Sequence, residues 1–237
     1  MKYTTLLLAA LGAAAMAFTG CNSNDDPDDP HAKSYIDIMT IAEKNGDGTV
    51  LTFQKENDSP LITLTTNQTF SQSVFTVGKR VVVNYVPQSG VQYESGNISI
   101  LQAMLTEGEG AKPEAKTATE TSGWATDGIS MYTAWRTGPY LNAIFNGVTS
   151  SAGPEECAIY VDAATVGTAQ PTVYLIFEGS NGNMVSPYFF YASYDISELW
   201  DNPATESLRL VYAESTTGTR SVEFSKVNGG DVPVVRP

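Results

Sequence analysis

Tyr35-Ile36-Asp37-Ile38-Met39-Thr40-Ile41 alternates along its length, and shortly after it Asn45-Gly46-Asp47-Gly48 turns the chain into Val50-Leu51-Thr52-Phe53-Gln54. Alternation with period two belongs to a strand with two unlike faces, and Asn-Gly and Asp-Gly supply the positive φ that tight hairpins need. The stretch predicts a β-hairpin. The turn is not read as a calcium loop, because the twelfth position of such a loop, Glu56, falls in or beside a strand.

Working outward, Leu61-Ile62-Thr63-Leu64-Thr65 predicts a third strand, followed by a longer polar connection over residues 67–73. Val81-Val82-Val83-Asn84-Tyr85-Val86 is a nearly continuous apolar run, as in a strand covered on both faces, and Pro87 ends it. Ile98 to Leu105 is the fifth. Five short strands with a longer connection between the third and fourth suit a small closed barrel of the OB type over residues 34–118, with an SH3-like barrel as the alternative.

Residues 107–122, with Gly108, Gly110, Pro113 and a Thr-rich run, lack apolar periodicity and read as a linker or long exposed loop. Strands resume in residues 119–237: Ile129 to Thr137, Tyr140 to Phe145, Cys157 to Val161, Thr172 to Phe177, Tyr188 to Tyr194, Ser207 to Tyr212 and Ser221 to Phe224. Turn signals stand at Ser180-Asn181-Gly182-Asn183 and Thr217-Gly218. The spacing predicts an antiparallel β-sandwich, so the fold class is all-β: an N-terminal five-stranded OB-like barrel, then a sandwich. Only Asp195 to Trp200 reads as helix, with Asp195 capping it and Glu198 completing a capping box.

The chain begins with Met1-Lys2-Tyr3, an apolar run from Leu6 to Phe18, and Phe18-Thr19-Gly20-Cys21. The run is shorter than the ~20 residues a membrane-spanning helix needs, so residues 1–20 read as a cleaved signal peptide and Cys21 as the lipid-attachment residue. Phe18 stands where such signals usually carry Leu. Asn22 to Pro30 holds four aspartates and two prolines, cannot bury apolar surface, and makes residues 21–33 an extended acidic tether. An acidic run directly after the cysteine resembles the surface-export signal of Bacteroidetes lipoproteins.

The net charge is −13, and removal of residues 1–20 takes only Lys2 from the balance, leaving −14. Nucleic-acid phosphates and anionic headgroups are repelled by such a body, so no nucleic-acid partner is expected, and the membrane partner is reached through the anchor. With Cys21 lipidated, Cys157 is alone, which rules out an intrachain disulfide; it reads as a small buried apolar residue. The one histidine, His31, lies in the tether, so the body has no Ser-His-Asp or Cys-His catalysis and no His-ligated zinc. No enzyme, cofactor or metal site is expected.

Sixteen of the 24 aromatic residues fall after residue 118. Tyr132, Trp135, Tyr140 and Tyr188 are the candidate ligand-binding residues, because aromatic faces stack on sugar rings; the competing reading is core and cross-strand packing. Tyr188 and Phe190 share one strand face, Phe189 and Tyr191 the other. Glu155, Glu156, Glu178, Asp195 and Glu198 are the carboxylates that an acid/base pair would draw on, and adjacent Glu155 and Glu156 point to opposite faces.

The order of parts, with Trp135-Arg136-Thr137-Gly138-Pro139-Tyr140-Leu141-Asn142 and Tyr191-Ala192-Ser193-Tyr194-Asp195-Ile196-Ser197, resembles the NigD-like lipoproteins of Bacteroidetes. The resemblance implies a non-enzymatic, two-domain protein on the outer membrane, facing the cell surface or the periplasm. It also implies a bacteriocin immunity or accessory role, because the family is associated with a bacteriocin gene cluster. The expected role is recognition at the envelope, with a glycan or an envelope protein as partner.

Overall fold

The computed structural model describes residues 33–70, 73–117, 120, 127–180 and 185–226. The signal segment, Cys21, the acidic tether, His31, the end of the predicted linker and the turn at Asn181-Gly182-Asn183 lie outside them.

The first unit is the expected barrel. Strands β1 (Tyr35–Asn45), β2 (Gly48–Phe53), β3 (Ile62–Thr66), β4 (Arg80–Pro87) and β5 (Gly96–Leu105) close in the order β1-β2-β3-β5-β4. The β3–β5 pair is parallel and the others are antiparallel, the OB-type arrangement. Asn45 makes the hairpin turn, its Oδ1 accepting from the Asp47 N–H at 2.9 Å and the Gly48 N–H at 3.2 Å. Met39, Ile41, Leu51, Leu64, Val81, Val83 and Tyr85 fill the barrel. Outward-facing Val82 and Ile38 are buried too, against Tyr191 of the second unit. That explains the unbroken apolar run in β4: the strand has a core on each side.

In the second unit, β7 (Ser130–Thr137), β8 (Tyr140–Ser150) and β11 (Val185–Asp195) form a three-stranded sheet in the order β11-β8-β7. Strands β6 (Glu114–Lys116), β9 (Glu156–Asp162), β10 (Thr172–Glu178), β12 (Ser207–Glu214) and β13 (Gly218–Ser225) form a five-stranded sheet in the order β13-β12-β10-β9-β6. The two enclose Phe145, Leu175, Phe177, Phe190, Leu210 and Phe224. Phe145 meets Phe177 edge-on, with centroids 5.7 Å apart and planes at 82°.

Two features of the strand arrangement differ from the sequence reading. The larger sheet is mixed rather than purely antiparallel, because β10–β12 and β6–β9 are parallel. Between β10 and β12 the chain leaves for the other sheet through β11 and returns through a short helix, α1 (Ser197–Trp200), so β12 re-enters in the same direction. The predicted linker is also not free of structure, since it contributes β6. Residues 107–111 strap the open edge of β11, where Glu107 and Gly110 donate to the carbonyls of Tyr191 and Ser193 and accept-side partners Ser193 and Asp195 donate to Glu107 and Ala111, all at 2.8–3.0 Å. The strap satisfies an edge that would otherwise stay unpaired.

Helix α1 is capped differently from expectation. Ile196 occupies the N-cap position; Asp195 Oδ1 still takes the Ser197 N–H at 2.9 Å, but Glu198 turns to Lys112, 2.6 Å away.

Candidate functional site

The four candidate aromatics are dispersed. Tyr132 lies on the outer face of the three-stranded sheet, 45% exposed, and stacks on Phe189 at 4.7 Å with planes at 22°. Its hydroxyl accepts from Asn146 Nδ2 at 2.8 Å. Tyr188 stands opposite Gly147 in the sheet register and packs against the sandwich core. Tyr140 lies under the Arg80 guanidinium, whose carbon is 4.0 Å from its ring centroid. Trp135 alone lines a cleft, between the barrel and the outer face of the three-stranded sheet. The face shared by Phe189 and Tyr191 is split: Phe189 is 41% exposed, whereas Tyr191 is buried by the barrel.

The carboxylates do not make an acid/base pair across a cleft. Glu156 and Glu178 are direct cross-strand partners, and Glu156 accepts from the Tyr160 hydroxyl. Asp195 and Glu198 are engaged at the start of α1, as described above.

Two arginines fix the walls of the cleft. Arg80, at the start of β4, is 1% exposed and donates to Ser193 Oγ and Thr40 Oγ1 at 2.9 Å and to Ile38 O and Asn142 Oδ1 at 3.3 Å. Its planar fork thus ties β1 and β4 of the barrel to β8 and β11 of the sheet. Burial lowers its pKa to about 10, which leaves it charged at neutral pH. On the other side Arg136 of β7 grips Asp58 of the β2–β3 loop through two hydrogen bonds of 3.1 Å, and its guanidinium lies 4.3 Å from the Trp200 ring. Gly138 donates its N–H to Asn57 O at 2.5 Å in the same loop. Walls pinned at both ends make the cleft a preformed feature.

The cleft has a volume of about 600 Å³ including its open mouth. Ile36, Asp37, Gln54 and Lys55 line its barrel side; Trp135, Asn142, Ile144 and Tyr191 line its sheet side. An apolar, aromatic wall facing a few polar groups is the usual composition of a small-ligand site.

Asp37 is the group with unusual electrostatics. It shares the inward face of β1 with Met39 and Ile41, and so sits at the barrel mouth. Its Oδ2 accepts from the Tyr85 hydroxyl at 2.9 Å and from Gln92 Nε2 at 3.3 Å. Burial pushes its carboxyl up to about 6, against the smaller lowering effect of these two donors. The same neighbourhood raises the Tyr85 and Tyr93 hydroxyls, through burial first and the Asp37 charge second. Tyr93 is held at φ 64°, in the left-handed region, with Lys55 Nζ 5.1 Å from its ring centroid. A left-handed backbone at Tyr93 and a half-buried acid raised by desolvation are features that fold economy alone does not require. Sequence reasoning did not single out Asp37. The available signal was its parity: an acid on the strand face that Met39 and Ile41 mark as interior.

No family model matches the sequence, and no match is found among curated proteins. Solved structures do match in fold. A Bacteroides vulgatus protein of unknown function (DUF1344) superposes with a TM-score of 0.60 at 16% identity, covering 86% of this chain and 97% of its own. A NigD-like immunity protein of Bacteroides caccae gives 0.56 at 14% identity, over 86% of this chain and 97% of its own. A toxin-related protein of Parabacteroides distasonis gives 0.55 at 16% identity, over 81% and 92%. The chain therefore has the barrel-and-sandwich fold found in a NigD-like protein of Bacteroidetes, as its sequence resemblance implied.

Proposed function

We propose that this protein is a lipid-anchored recognition protein of the outer membrane that holds a saccharide in the cleft between barrel and sandwich. The cleft carries the reading: it is preformed, it places Trp135 beside Gln54 and Asn142, and both units build it. Sugars are bound by this combination of ring faces and hydrogen-bonding side chains. The lipobox cysteine and acidic tether, read from the sequence, support attachment through Cys21 and presentation of the body at the cell surface. The protein acts by binding and not by catalysis.

A glycan-array screen of the mature chain carrying Cys21→Ser tests the binding reading. A saturable hit that survives moderate salt and is lost in Trp135→Ala supports it; a blank array removes it. For the anchor, Cys21→Ser should release the protein from the membrane fraction, and deletion of residues 25–29 should abolish surface labelling of intact cells. Retention of the first or unchanged labelling in the second counts against that part.

A second reading, an immunity role, is favoured by the likeness to the NigD-like immunity protein. Deleting the gene should then sensitise the strain to a bacteriocin, and unchanged killing would dismiss it.

A further inference from the structure

Resting on the cleft as a saccharide site, we infer that its ligand is an extended chain of neutral sugars, which leaves the cleft across the open end of the three-stranded sheet and meets a second subsite at Tyr132 and Phe189.

The register places this pair on the face to which the cleft wall belongs. On the outer side of the sheet Trp135 and Asn142 are partners in one row, Ile144 and Tyr191 in the next, and Asn146 and Phe189 in the third. The first two rows line the cleft, and the third carries the same face on into solvent. Tyr191 is 7% exposed, Phe189 41% and, farther along β11 on the same side, Val185 53%. Tyr132 joins the third row because the bulge between Met131 and Thr133 adds a residue to β7 there. From Asn142 to Asn146 the strand advances about 13 Å, farther than one sugar ring reaches.

The pair is built before a ligand arrives. The two rings stack at 4.7 Å and Asn146 Nδ2 holds the Tyr132 hydroxyl at 2.8 Å, so the exposed aromatic surface is fixed and binding has little left to order. Apolar C–H surface of a sugar packs on such rings. The rows from the cleft to Val185 carry hydroxyl, amide, aromatic and aliphatic side chains and no charged one, in a chain of net charge −13. A sugar acid would find no countercharge there. One chain that occupies both subsites makes its second contact intramolecular, so affinity grows with the length that leaves the cleft.

The test measures binding of the dimer, tetramer and hexamer of cello-, manno-, xylo- and malto-oligosaccharides to the mature chain carrying Cys21→Ser, with the galacturonate hexamer as the charged comparison. In a series that binds, the hexamer should be held at least about tenfold more tightly than the dimer. Tyr132→Ala combined with Phe189→Ala should bring the hexamer down to the affinity of the dimer and leave the dimer unchanged, which also shows that the double variant is folded. Trp135→Ala should weaken every length. Equal affinity for dimer and hexamer, or a hexamer that the double variant binds as well as the parent does, would overturn the inference while leaving the cleft reading standing. A galacturonate hexamer bound as tightly as the neutral one would overturn it too. Binding of no series would remove both.

Discussion

Arg80 of the barrel donates its Nε hydrogen to Ser193 of the three-stranded sheet at 2.9 Å, in a setting where 1% of the arginine is exposed. Ser193 in turn donates to Asn142 Oδ1 at 2.8 Å, and Asn142 Nδ2 donates to Thr137 Oγ1 at 3.0 Å. The chain of bonds runs from β4 through β11 to β8 and β7. It joins the two units by directional contacts, over and above the apolar contact of Ile38 and Val82 with Tyr191.

The first prediction concerns that arginine. Arg80→Ala removes the donors of four acceptors and leaves a cavity over Tyr140, so it should cost about 3 kcal/mol or more. Arg80→Lys keeps the charge and loses the planar fork, and should cost about 2 kcal/mol. Urea unfolding checks both. A lysine variant with the parent midpoint would mean that the fork does not join the units.

The strap at residues 107–111 supplies the second. Gly108 adopts φ +72°, and a Cβ there would lie 2.1 Å from the Tyr194 ring, so alanine is excluded by backbone and by space. Gly78 has φ +89° with nothing within 4 Å, so alanine there meets backbone strain alone. Gly108→Ala should therefore cost about 2 kcal/mol or more and Gly78→Ala about 1 kcal/mol. Thermal unfolding of the two variants side by side decides it; equal losses would mean that the strap does not press on Tyr194.

Alternation made β1 legible, because one of its faces meets the barrel core, whereas β4 stood out by its unbroken apolar run, having a core on each side. Alternation also found all seven long strands of the second unit. It could not find β6, where Glu114-Ala115-Lys116 is held by the neighbouring edge of β9 and has no apolar face of its own. Nor could it tell parallel from antiparallel partners, since both present the same period. The cleft was hidden for a further reason. Phe189 and Tyr191 have the same parity on β11, and only the docked barrel makes one exposed and the other a wall. Asp37 was the missed clue, since an acid on an interior face has to be hydrogen-bonded, paired or functional.

Asp37 gives the pH prediction. An aspartate in the unfolded chain titrates near 4, whereas burial holds it at about 6 in the folded protein. Between those values the folded chain retains a proton that the unfolded chain has lost, so the group favours the fold most at low pH. That contribution falls as pH rises from about 4 through 6. Asp37→Asn should then stabilise the protein by about 1–3 kcal/mol at pH 7.5 and by close to nothing at pH 4. Urea midpoints at the two values measure it. A destabilised variant at pH 7.5 would refute the account of an uncompensated buried charge.

Cys157 provides the last. Its side chain packs on the sandwich core, its Sγ is 3.7 Å from the Tyr194 hydroxyl, and that hydroxyl donates to the Cys157 carbonyl at 3.0 Å. Burial, with Glu107 adding to it, pushes the thiol up to about 12. At pH 8 almost none of it is thiolate, the form that attacks an alkylating agent, whereas an unfolded cysteine near 8.5 is substantially ionised. In the mature chain carrying Cys21→Ser, Cys157 is the one remaining cysteine, so labelling reports on this site alone. Iodoacetamide should modify it at least about a hundredfold more slowly in the folded protein than in urea. Gly108→Ala, by loosening the strap over Tyr194, should raise the folded-state rate. Rapid labelling of the folded parent would contradict the packing of this half-buried thiol against the sandwich core.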